Sequence, residues 1–318
     1  MKAVVRHSYG SPEVIHVADV PRPAPGPGEV LVEVRAAGIN PLDWHFMRGE
    51  PRPMRLQSGL RSPKDPRMGQ DLAGVVVEVG EGVTRWAVGD EVLGSCLGAL
   101  AQYAVAGEGD VAAKPPGMSF AEASGLPCAG LTAIQGLRDH AGLAAGHRLL
   151  ITGAGGGVGH LAVQIAKATG AHVTGVCSTR NVDLVRSLGA DAVVDYSRED
   201  FTATTTPYDV ILDLAATRSH RELRRIMTPK GALLVAGASP TRPLRHIAVG
   251  VLTAPFVSQK QPTFVAKWSG PDLEELVRLV DAGALRVEVS RTYSLDQAAE
   301  AIGHVEEGHA RGKVVVEL

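Results

Sequence analysis

The sequence RLLITGAGGGVGHLAVQIAKATGAHVTGVC fills residues 148–177 and combines two strand-like runs with a glycine-rich turn. Leu149–Ile151 predicts a buried strand that enters the turn at Gly153. A helical spacing of apolar residues follows, and His172–Val176 predicts a second strand. A strand, a glycine turn, a helix and a strand within about 30 residues form the setting of a dinucleotide-binding turn.

Glycine suits such a turn because a pyrophosphate must approach the N-terminus of the helix closely. Unpaired backbone N–H groups and the helix dipole both favour negative charge there. The spacing Gly153-x-x-Gly156-x-x-Gly159 differs from G-x-G-x-x-G, and an ordinary glycine-rich turn is the alternative interpretation. The flanking strands and helix favour cofactor binding.

Length and composition limit the possible classes of protein. A chain of 318 residues predicts two domains, and 45% hydrophobic and 21% charged residues are typical of a globular protein. A formal net charge of −2 argues against a nucleic-acid partner. No apolar run approaches the roughly 20 residues that span a bilayer, so no membrane partner is expected. The three separated cysteines and the lack of a signal peptide predict a cytoplasmic protein with free thiols.

Two regions with different patterns follow one another along the chain. Residues 1–120 hold many short β-branched runs separated by proline and glycine, which predicts a barrel-like β domain. Within them, residues 46–68 contain four prolines and six basic residues and predict a long surface loop. From Ser119, where a capping box begins, helical and strand patterns alternate, which predicts a parallel sheet covered on both faces. Nearer the C-terminus, Val287–Val289 predicts an edge strand.

Five blocks of sequence then resemble the medium-chain dehydrogenase/reductase superfamily, specifically its zinc-free branch similar to quinone oxidoreductases. They occur in the order typical of that family and are distributed along the chain from residue 26 to residue 318. The blocks are GPGEVLVEVRAAGINPLDWHFMRG (26–49), GQDLAGVVVEVGEGVTRWAVGDEVLG (69–94), LPCAGLTA (126–133), ITGAGGGVGHLAVQIAKATGA (151–171) and GHARGKVVVEL (308–318).

This resemblance implies an α/β protein with a GroES-like β-barrel domain and a Rossmann domain, the latter a doubly wound parallel sheet. The GroES-like catalytic domain would span residues 1–120 and be completed by about 283–318. The NADP-binding Rossmann domain would span residues 121–282. The superfamily is often oligomeric, so a homodimer is expected.

The resemblance also allows a test for zinc. Zinc-dependent relatives hold the metal through a cysteine in a G-x-C stretch and the histidine of a G-H-E triplet. Asn40 and Gln70 stand in those two places here. Structural zinc needs four clustered ligands, and only Cys96 follows Gly89 in the corresponding region. We therefore predict no metal site.

The residues after the second strand of the Rossmann region decide between NADH and NADPH. An NAD enzyme places a carboxylate there to bind the ribose 2′-hydroxyl. This chain instead has Ser178 and Arg180, which suit a 2′-phosphate, and Tyr196 resembles a family position that reaches the same phosphate. We predict NADP(H), with Arg180 as an ordinary solvated charge being the alternative.

Further cofactor contacts are implied by the resemblance alone. Lys313 follows Gly312 in a G-K segment that approaches the nicotinamide in this family, although a surface cation is the alternative for Lys313. The other implied contacts are Gly155, Gly156, Gly157, Val158, Leu214, Ala236 and Gly237.

Three residues are predicted to be catalytic. Without zinc, hydrogen-bond donors must stabilise the negative charge that grows on a substrate carbonyl oxygen. The resemblance points to Asn40 and Thr132 for this role, and Asp43 lies on the same turn as Asn40. Alternatives are a turn role for Asn40-Pro41 and a helix-capping role for Asp43. His45 is a weaker candidate for a proton donor.

The predicted function is an NADPH-dependent, zinc-independent oxidoreductase that reduces small-molecule quinones or α,β-unsaturated carbonyl compounds by hydride transfer. Two alternatives stay open at this point. One is an alcohol dehydrogenase, against which the missing zinc ligands count. The other is an NADPH-binding sensor or structural protein with little turnover, which an intact glycine turn does not distinguish from an enzyme.

Overall fold

The computed structural model describes residues 1–236, 258–262, 264–308 and 310–318. The chain forms two compact units. The first unit comprises Met1–Ala129, Trp268–Gly283 and Val287–Leu318, and the second comprises Gly130–Lys267 and Ala284–Arg286. The expected domain bounds stay predictions. The two compact units divide the chain at different residues. Residues 121–129 and 268–282, which we expected in the Rossmann domain, group with the first unit.

A seven-stranded sheet forms the first unit, with a separate two-stranded sheet. The central strand of the seven-stranded sheet, Glu29–Ile39, pairs antiparallel with three other strands. The register of these pairs places Asp71 beside Gly38 and Val314 beside Ile39. Residues distant in sequence thus meet at one end of that strand. The strands are β1 (Lys2–Arg6), β2 (Ile15–Asp19), β3 (Glu29–Ile39), β4 (Asp71–Val79), β5 (Glu91–Ser95), β6 (Tyr103–Gly107), β7 (Val111–Ala113), β13 (Val289–Ser294) and β14 (Lys313–Glu317), with order β13-β14-β3-β4-β5-β7 and β6 on β3.

The helices of the first unit have clear start and stop signals. The helix after β3 begins with a capping box between Asn40 and Asp43, has Pro41 in its first turn, and ends at Gly49 with φ of 61°. Its Arg48 forms an ion pair with Glu306. The helices are α1 (Pro41–Arg48), α2 (Arg55–Ser58), α3 (Phe120–Ser124), α8 (Gly270–Asp281) and α9 (Ala298–Glu306), with 3-10 turns at Pro12–Val14, Arg52–Met54 and Leu295–Gln297.

Five parallel strands form the sheet of the second unit, in the order β10-β9-β8-β11-β12. The chain adds strands outward on one side of β8 and then on the other, so the direction of winding reverses between β8 and β11. The elements are β8 (Arg148–Thr152), β9 (His172–Cys177), β10 (Ala192–Asp195), β11 (Tyr208–Asp213), β12 (Met227–Val235), α5 (Gly159–Ala168), α6 (Val182–Ser187) and α7 (His220–Arg225). The helix α4 (Pro127–Gln135), whose first three residues belong to the first unit, continues into a π-helical turn, Gly136–His140. The predicted parallel sheet is confirmed.

Two local expectations were wrong in part. Residues 46–68 are not one loop, because the first helix continues to Arg48 and two short helical turns follow it. The strand expected at Val287–Val289 lies at Val289–Ser294 instead, at the edge of the sheet as expected. Among the described residues, we find no helix with the length and apolar character needed to cross a bilayer.

Candidate active site

The glycine turn lies between β8 and α5, at the carboxyl end of the central strand of the second unit. Gly153 has φ of 68°, a conformation that side chains other than glycine rarely adopt. A Cβ atom at Gly155 would lie 2.8 Å from the Asn181 amide nitrogen, and one at Gly159 would collide with the Gly153 carbonyl oxygen. The turn therefore needs glycine at these positions to close.

The start of α5 fits an anionic ligand. Its N-cap residue, Val158, provides no side-chain hydrogen bond to the first turn, whereas Ser119 and Ser219 cap α3 and α7 in that way. Uncapped N–H groups and the dipole of a ten-residue helix favour a phosphate at this end. Gly156, Gly157 and Val158 lie in this turn, so the residues present fit a dinucleotide cofactor.

The residues predicted to hold a 2′-phosphate converge at one edge of the same sheet. β9 and β10 are parallel neighbours, with Cys177 opposite Asp195, so Ser178 and Tyr196 follow at adjacent strand ends. Tyr196 is 58% exposed, and Arg180 is exposed on the 3-10 turn Thr179–Asn181. This placement agrees with a phosphate-binding cluster.

Asp195 is the carboxylate of this cluster that sequence reasoning missed. Its oxygens accept hydrogen bonds from the Thr179 hydroxyl at 2.6 Å and the Ser197 N–H at 3.0 Å, and Arg198 lies 3.5 Å away. These contacts, the Thr179 hydroxyl foremost, lower the pKa of Asp195. Its carboxylate is thus already engaged within the turn.

The other predicted cofactor positions of the second unit lie along the same edge. Leu214 and Ala236 follow the ends of β11 and β12, and a Cβ at Gly153 would touch Leu214 at 3.4 Å. The Thr152 hydroxyl donates to Asp213 at 2.5 Å and accepts from the Leu214 N–H at 3.0 Å, which fixes the two strand ends together. Gly237 lies outside the described residues.

In the first unit, a network of buried polar side chains surrounds Asn40. The Asn40 amide nitrogen donates to Asp71 at 2.8 Å, and its carbonyl oxygen accepts from the Lys313 ammonium at 2.6 Å. The backbone N–H of Asn40 donates to Asp43 at 2.7 Å. All four residues are at most 3% exposed. Charged groups thus fix Asn40 at three of its polar atoms.

Asp71 is the second residue that sequence reasoning missed, and it is the centre of this network. Its carboxylate also accepts from the Ser95 hydroxyl at 3.2 Å and the Cys128 N–H at 3.1 Å, and it lies 4.0 Å from the Lys313 nitrogen. The available signal was the G-x-D triplet at Gly69–Asp71, which we examined only for its missing histidine. The antiparallel register of β3 and β4 provides the contact.

Burial shifts the titration of both carboxyl groups. Burial, and to a smaller extent the Asp71 charge, raises the pKa of Asp43 to about 7. The hydrogen bond from the Asn40 N–H and the charges of Lys313 and Arg6 oppose this rise. Burial also raises the pKa of Asp71, with Lys313 as the largest opposing influence. One Asp43 oxygen and two Arg6 nitrogens are buried without a hydrogen-bond partner. The capping alternative for Asp43 agrees with this structure, since its carboxylate binds the N-cap N–H.

Lys313, Thr132 and His45 occupy different environments. Lys313 is only 2% exposed, so the alternative of a surface cation is wrong. Gly312, with φ of 60°, precedes it in a conformation that suits glycine. Thr132 is half-buried on α4 and belongs to the second unit. His45 is buried against Trp44, its Nδ1 lies 2.8 Å from the Glu50 carbonyl oxygen, and burial lowers its pKa.

Comparison with known proteins decides the family. A family model described as "Alcohol dehydrogenase GroES-like domain" matches residues 26–126, and one described as "Zinc-binding dehydrogenase" matches residues 188–316. The chain is 38% identical to the chloroplastic quinone-oxidoreductase QR1 of Triphysaria versicolor, over 100% of this chain and 98% of that protein. The chain belongs to the quinone oxidoreductase branch of the medium-chain dehydrogenase/reductase superfamily.

Two further relatives agree with this placement in the superfamily. The mouse mitochondrial NAD(P)H oxidoreductase RTN4IP1 is 34% identical over 92% of this chain and 82% of its own length. The solved structure of the quinone oxidoreductase from Coxiella burnetii superposes with a TM-score of 0.87 at 31% identity, covering 100% of this chain and 99% of that one. The predicted combination of a GroES-like domain and a Rossmann-type parallel sheet is confirmed.

Membership of a superfamily that includes zinc enzymes raises the question of whether zinc fits here. Asn40 and Gln70 offer amides, which are poor zinc ligands, and the Lys313 ammonium beside Asn40 would repel a cation. Among the residues that the structure describes, no group of three or more histidine, cysteine, aspartate or glutamate side chains is arranged to hold a metal. The residues around Asn40 do not fit zinc.

Proposed function

We propose that this protein is an NAD(P)H-dependent oxidoreductase and, more specifically, an NADPH-dependent, zinc-independent reductase of quinones or α,β-unsaturated carbonyl compounds. The observation that carries the proposal is the Asn40 amide, which is held between Asp71 and Lys313 at the place where zinc relatives bind their metal. The names of the relatives support both the nicotinamide cofactor and the quinone. The homodimer and the cytoplasmic location stay predictions.

A bound reduced nicotinamide supplies the hydride. When the hydride adds to a conjugated carbonyl compound, negative charge develops on the carbonyl oxygen, and a proton completes the reduction. The task of the protein is to stabilise that charge with fixed hydrogen-bond donors. We assign this task to Asn40. Thr132, which the family resemblance also implied, lies in the second unit and stays a prediction.

The network prepares Asn40 for that task in two ways. Lys313 donates to the amide oxygen at 2.6 Å, and this charge-assisted bond polarises the amide and strengthens its N–H groups as donors. Asp71 engages one N–H at 2.8 Å, while the contact of the amide nitrogen with the Gly38 carbonyl is long at 3.4 Å. We propose that the second N–H of the Asn40 amide, which makes only this long contact with Gly38, donates to the substrate oxygen.

Asp43 has an indirect role in this proposal. Its carboxylate is completely buried and accepts the Asn40 backbone N–H, so it fixes the start of α1 and the position of Asn40. Lys313 likewise acts through Asn40, rather than on the cofactor as the family resemblance implied. Both are positioning residues.

Cofactor selection rests on the edge formed by β9 and β10. Ser178, Arg180 and Tyr196 supply two hydroxyl groups and a guanidinium, which suit a 2′-phosphate, and no carboxylate directly follows β9. We therefore propose NADPH over NADH, with the glycine turn binding the pyrophosphate.

The test is a titration of the chelator-treated protein with NADPH and NADH, followed by 1,4-benzoquinone while the absorbance of the reduced nicotinamide is recorded. We expect tighter binding of NADPH and oxidation that depends on the quinone. Tight binding without oxidation would favour the sensor alternative, and loss of activity on chelation would contradict zinc independence.

A matched pair of arginine variants tests the phosphate assignment. Arg180→Gln should weaken NADPH binding by about 10-fold or more and leave NADH binding nearly unchanged, because only NADPH carries the 2′-phosphate. Arg186→Gln is the control, since Arg186 lies on the neighbouring α6 and pairs only loosely with Asp183 at 3.7 Å. Equal weakening of both cofactors in Arg180→Gln would refute the assignment.

A further inference from the structure

Residues 51–64, PRPMRLQSGLRSPK, form a basic and apolar surface segment that the proposed reaction does not use. The segment contains four basic residues and no acidic one, although the whole chain has a formal net charge of −2. It also carries two strongly exposed leucines: Leu56 is 71% exposed and Leu60 is 68% exposed. Local positive charge thus coincides with apolar side chains in water.

The segment is fixed to the first unit, so the leucines are held outward. The Arg55 guanidinium packs over the Tyr9 ring at 4.4 Å and donates to the Gly49 carbonyl at 2.9 Å. The Tyr9 hydroxyl in turn donates to the Gly59 carbonyl at 2.6 Å and contacts the Ser58 hydroxyl at 2.8 Å. Arg55 directly precedes Leu56, and the two Tyr9 contacts lie between Leu56 and Leu60 in sequence. Together these contacts hold the backbone that presents the leucines.

The remaining charges of the segment face solvent. Arg52, Arg61 and Lys64 are exposed, and within the described part of the chain no ion pair or hydrogen bond of their side chains is observed. The basic residue that follows, Arg67, is instead neutralised by Asp65 at 2.7 Å. The three exposed cations of residues 51–64 are therefore available to an external partner.

We propose that residues 51–64 bind the surface of an anionic lipid bilayer. A bilayer interface offers anionic head groups beside an apolar layer, and this combination matches cations that flank protruding leucines. A purely anionic protein surface would leave the leucines in water, and a purely apolar partner would leave the cations unpaired. The proposal is independent of the reaction and holds for any substrate.

This proposal revises the expectation of no membrane partner. That expectation rested on the lack of an apolar run long enough to span a bilayer. A peripheral contact needs no such run, since a few inserted apolar side chains and several cations suffice for reversible binding.

Co-sedimentation of the purified full chain with vesicles tests the proposal. Vesicles of phosphatidylcholine alone are compared with vesicles that also contain phosphatidylglycerol, at low and at high salt. We expect binding to the anionic vesicles only, and weaker binding at high salt. No binding to either kind of vesicle, or equal binding to both, would overturn the proposal.

Variants of the segment identify the contact. Arg61→Gln combined with Lys64→Gln should lower partitioning about 25-fold, since each cation near an anionic surface contributes about fivefold. Leu56→Ser combined with Leu60→Ser should also reduce binding. Controls elsewhere on the surface are Val88→Ser, an apolar residue that is 65% exposed, and Arg225→Gln with Lys230→Gln, two exposed cations.

Circular dichroism confirms that each variant is folded. Binding that survives the segment variants, or that the controls reduce equally, would overturn the assignment. Analytical ultracentrifugation without vesicles tests whether a second copy of the chain, rather than a bilayer, covers residues 51–64. If the leucine variant dissociates an oligomer and leaves vesicle binding unchanged, a second copy of the chain covers the segment and the bilayer proposal fails.

Discussion

Replacement of Asp71 by asparagine gives the sharpest test of the network around Asn40. The substitution keeps the volume of the side chain but replaces one acceptor oxygen with an NH₂ group. In place of Oδ2 that group would face two donors, the Asn40 amide nitrogen at 2.8 Å and the Cys128 N–H at 3.1 Å. In place of Oδ1 it would face the Cys128 N–H at 3.2 Å. It also leaves the Lys313 ammonium, 2% exposed, without its carboxylate at 4.0 Å.

The expected magnitude follows from these contacts. Removing one partner of a buried ion pair costs about 3–5 kcal/mol, because the remaining charge is buried and uncompensated. We therefore expect Asp71→Asn to lower the free energy of unfolding by about 3–5 kcal/mol. Lys313→Met should relieve part of that cost in the double variant, so that the two substitutions together cost at least 1 kcal/mol less than their sum.

Urea unfolding followed by circular dichroism at pH 7 measures all four members of this double-mutant cycle. Lys167→Met is a control for loss of a lysine, since its ion pair with Asp191 at 2.8 Å lies on the surface of the second unit. A cost below about 1 kcal/mol for Asp71→Asn, or simple additivity with Lys313→Met, would refute the charged network. Such a result would mean that Asp71 is neutral in the folded protein.

Three further predictions concern the glycine turn, Asp43 and Asn40. Gly155→Val should abolish cofactor binding in equilibrium titration, because its side chain would displace Asn181, and retained affinity would contradict the close packing of the turn. The pKa of Asp43 is raised from 3.8 to about 7, so its stabilising contribution is present below about pH 4 and is lost as pH rises through about 7. Urea unfolding should therefore show the stability of the wild type, relative to Asp43→Asn, falling by about 2.6 kcal/mol between pH 5 and pH 8, and a constant difference would contradict the raised pKa. Asn40→Ala should lower kcat for benzoquinone about 100-fold with little change in the Kd of NADPH, and an unchanged kcat would remove Asn40 from the mechanism.

The second unit was the more predictable from sequence, for a physical reason. Its central strands are buried on both faces and read as continuous apolar runs, so β8 and β9 were predicted within a residue of their bounds. The glycine turn was equally clear because close packing against Asn181 and the Gly153 carbonyl permits no side chain. Local sequence determines each of these features.

The network of the first unit depends on contacts that local sequence does not carry. Asn40, Asp71 and Lys313 are brought together by the pairing of β3 with β4 and with β14, and no local pattern specifies that register. The resemblance identified Asn40 and Lys313 but placed Lys313 at the cofactor. It gave no role to Asp71, whose carboxylate orients both. Residues 46–68 were misjudged for a similar reason, since proline and arginine obscured the helical turns that Tyr9 helps to hold.

Transfer of deuterium from labelled cofactor to an enone would test the proposed reaction most directly. The chelator-treated protein is incubated with NADPH deuterated at the transferable C4 position and an α,β-unsaturated ketone, and the product is analysed by mass spectrometry. Hydride transfer without zinc predicts a saturated ketone with one deuterium at the β carbon. A product without deuterium, or no reduction of either enone or quinone while NADPH binds tightly, would contradict the proposed reductase.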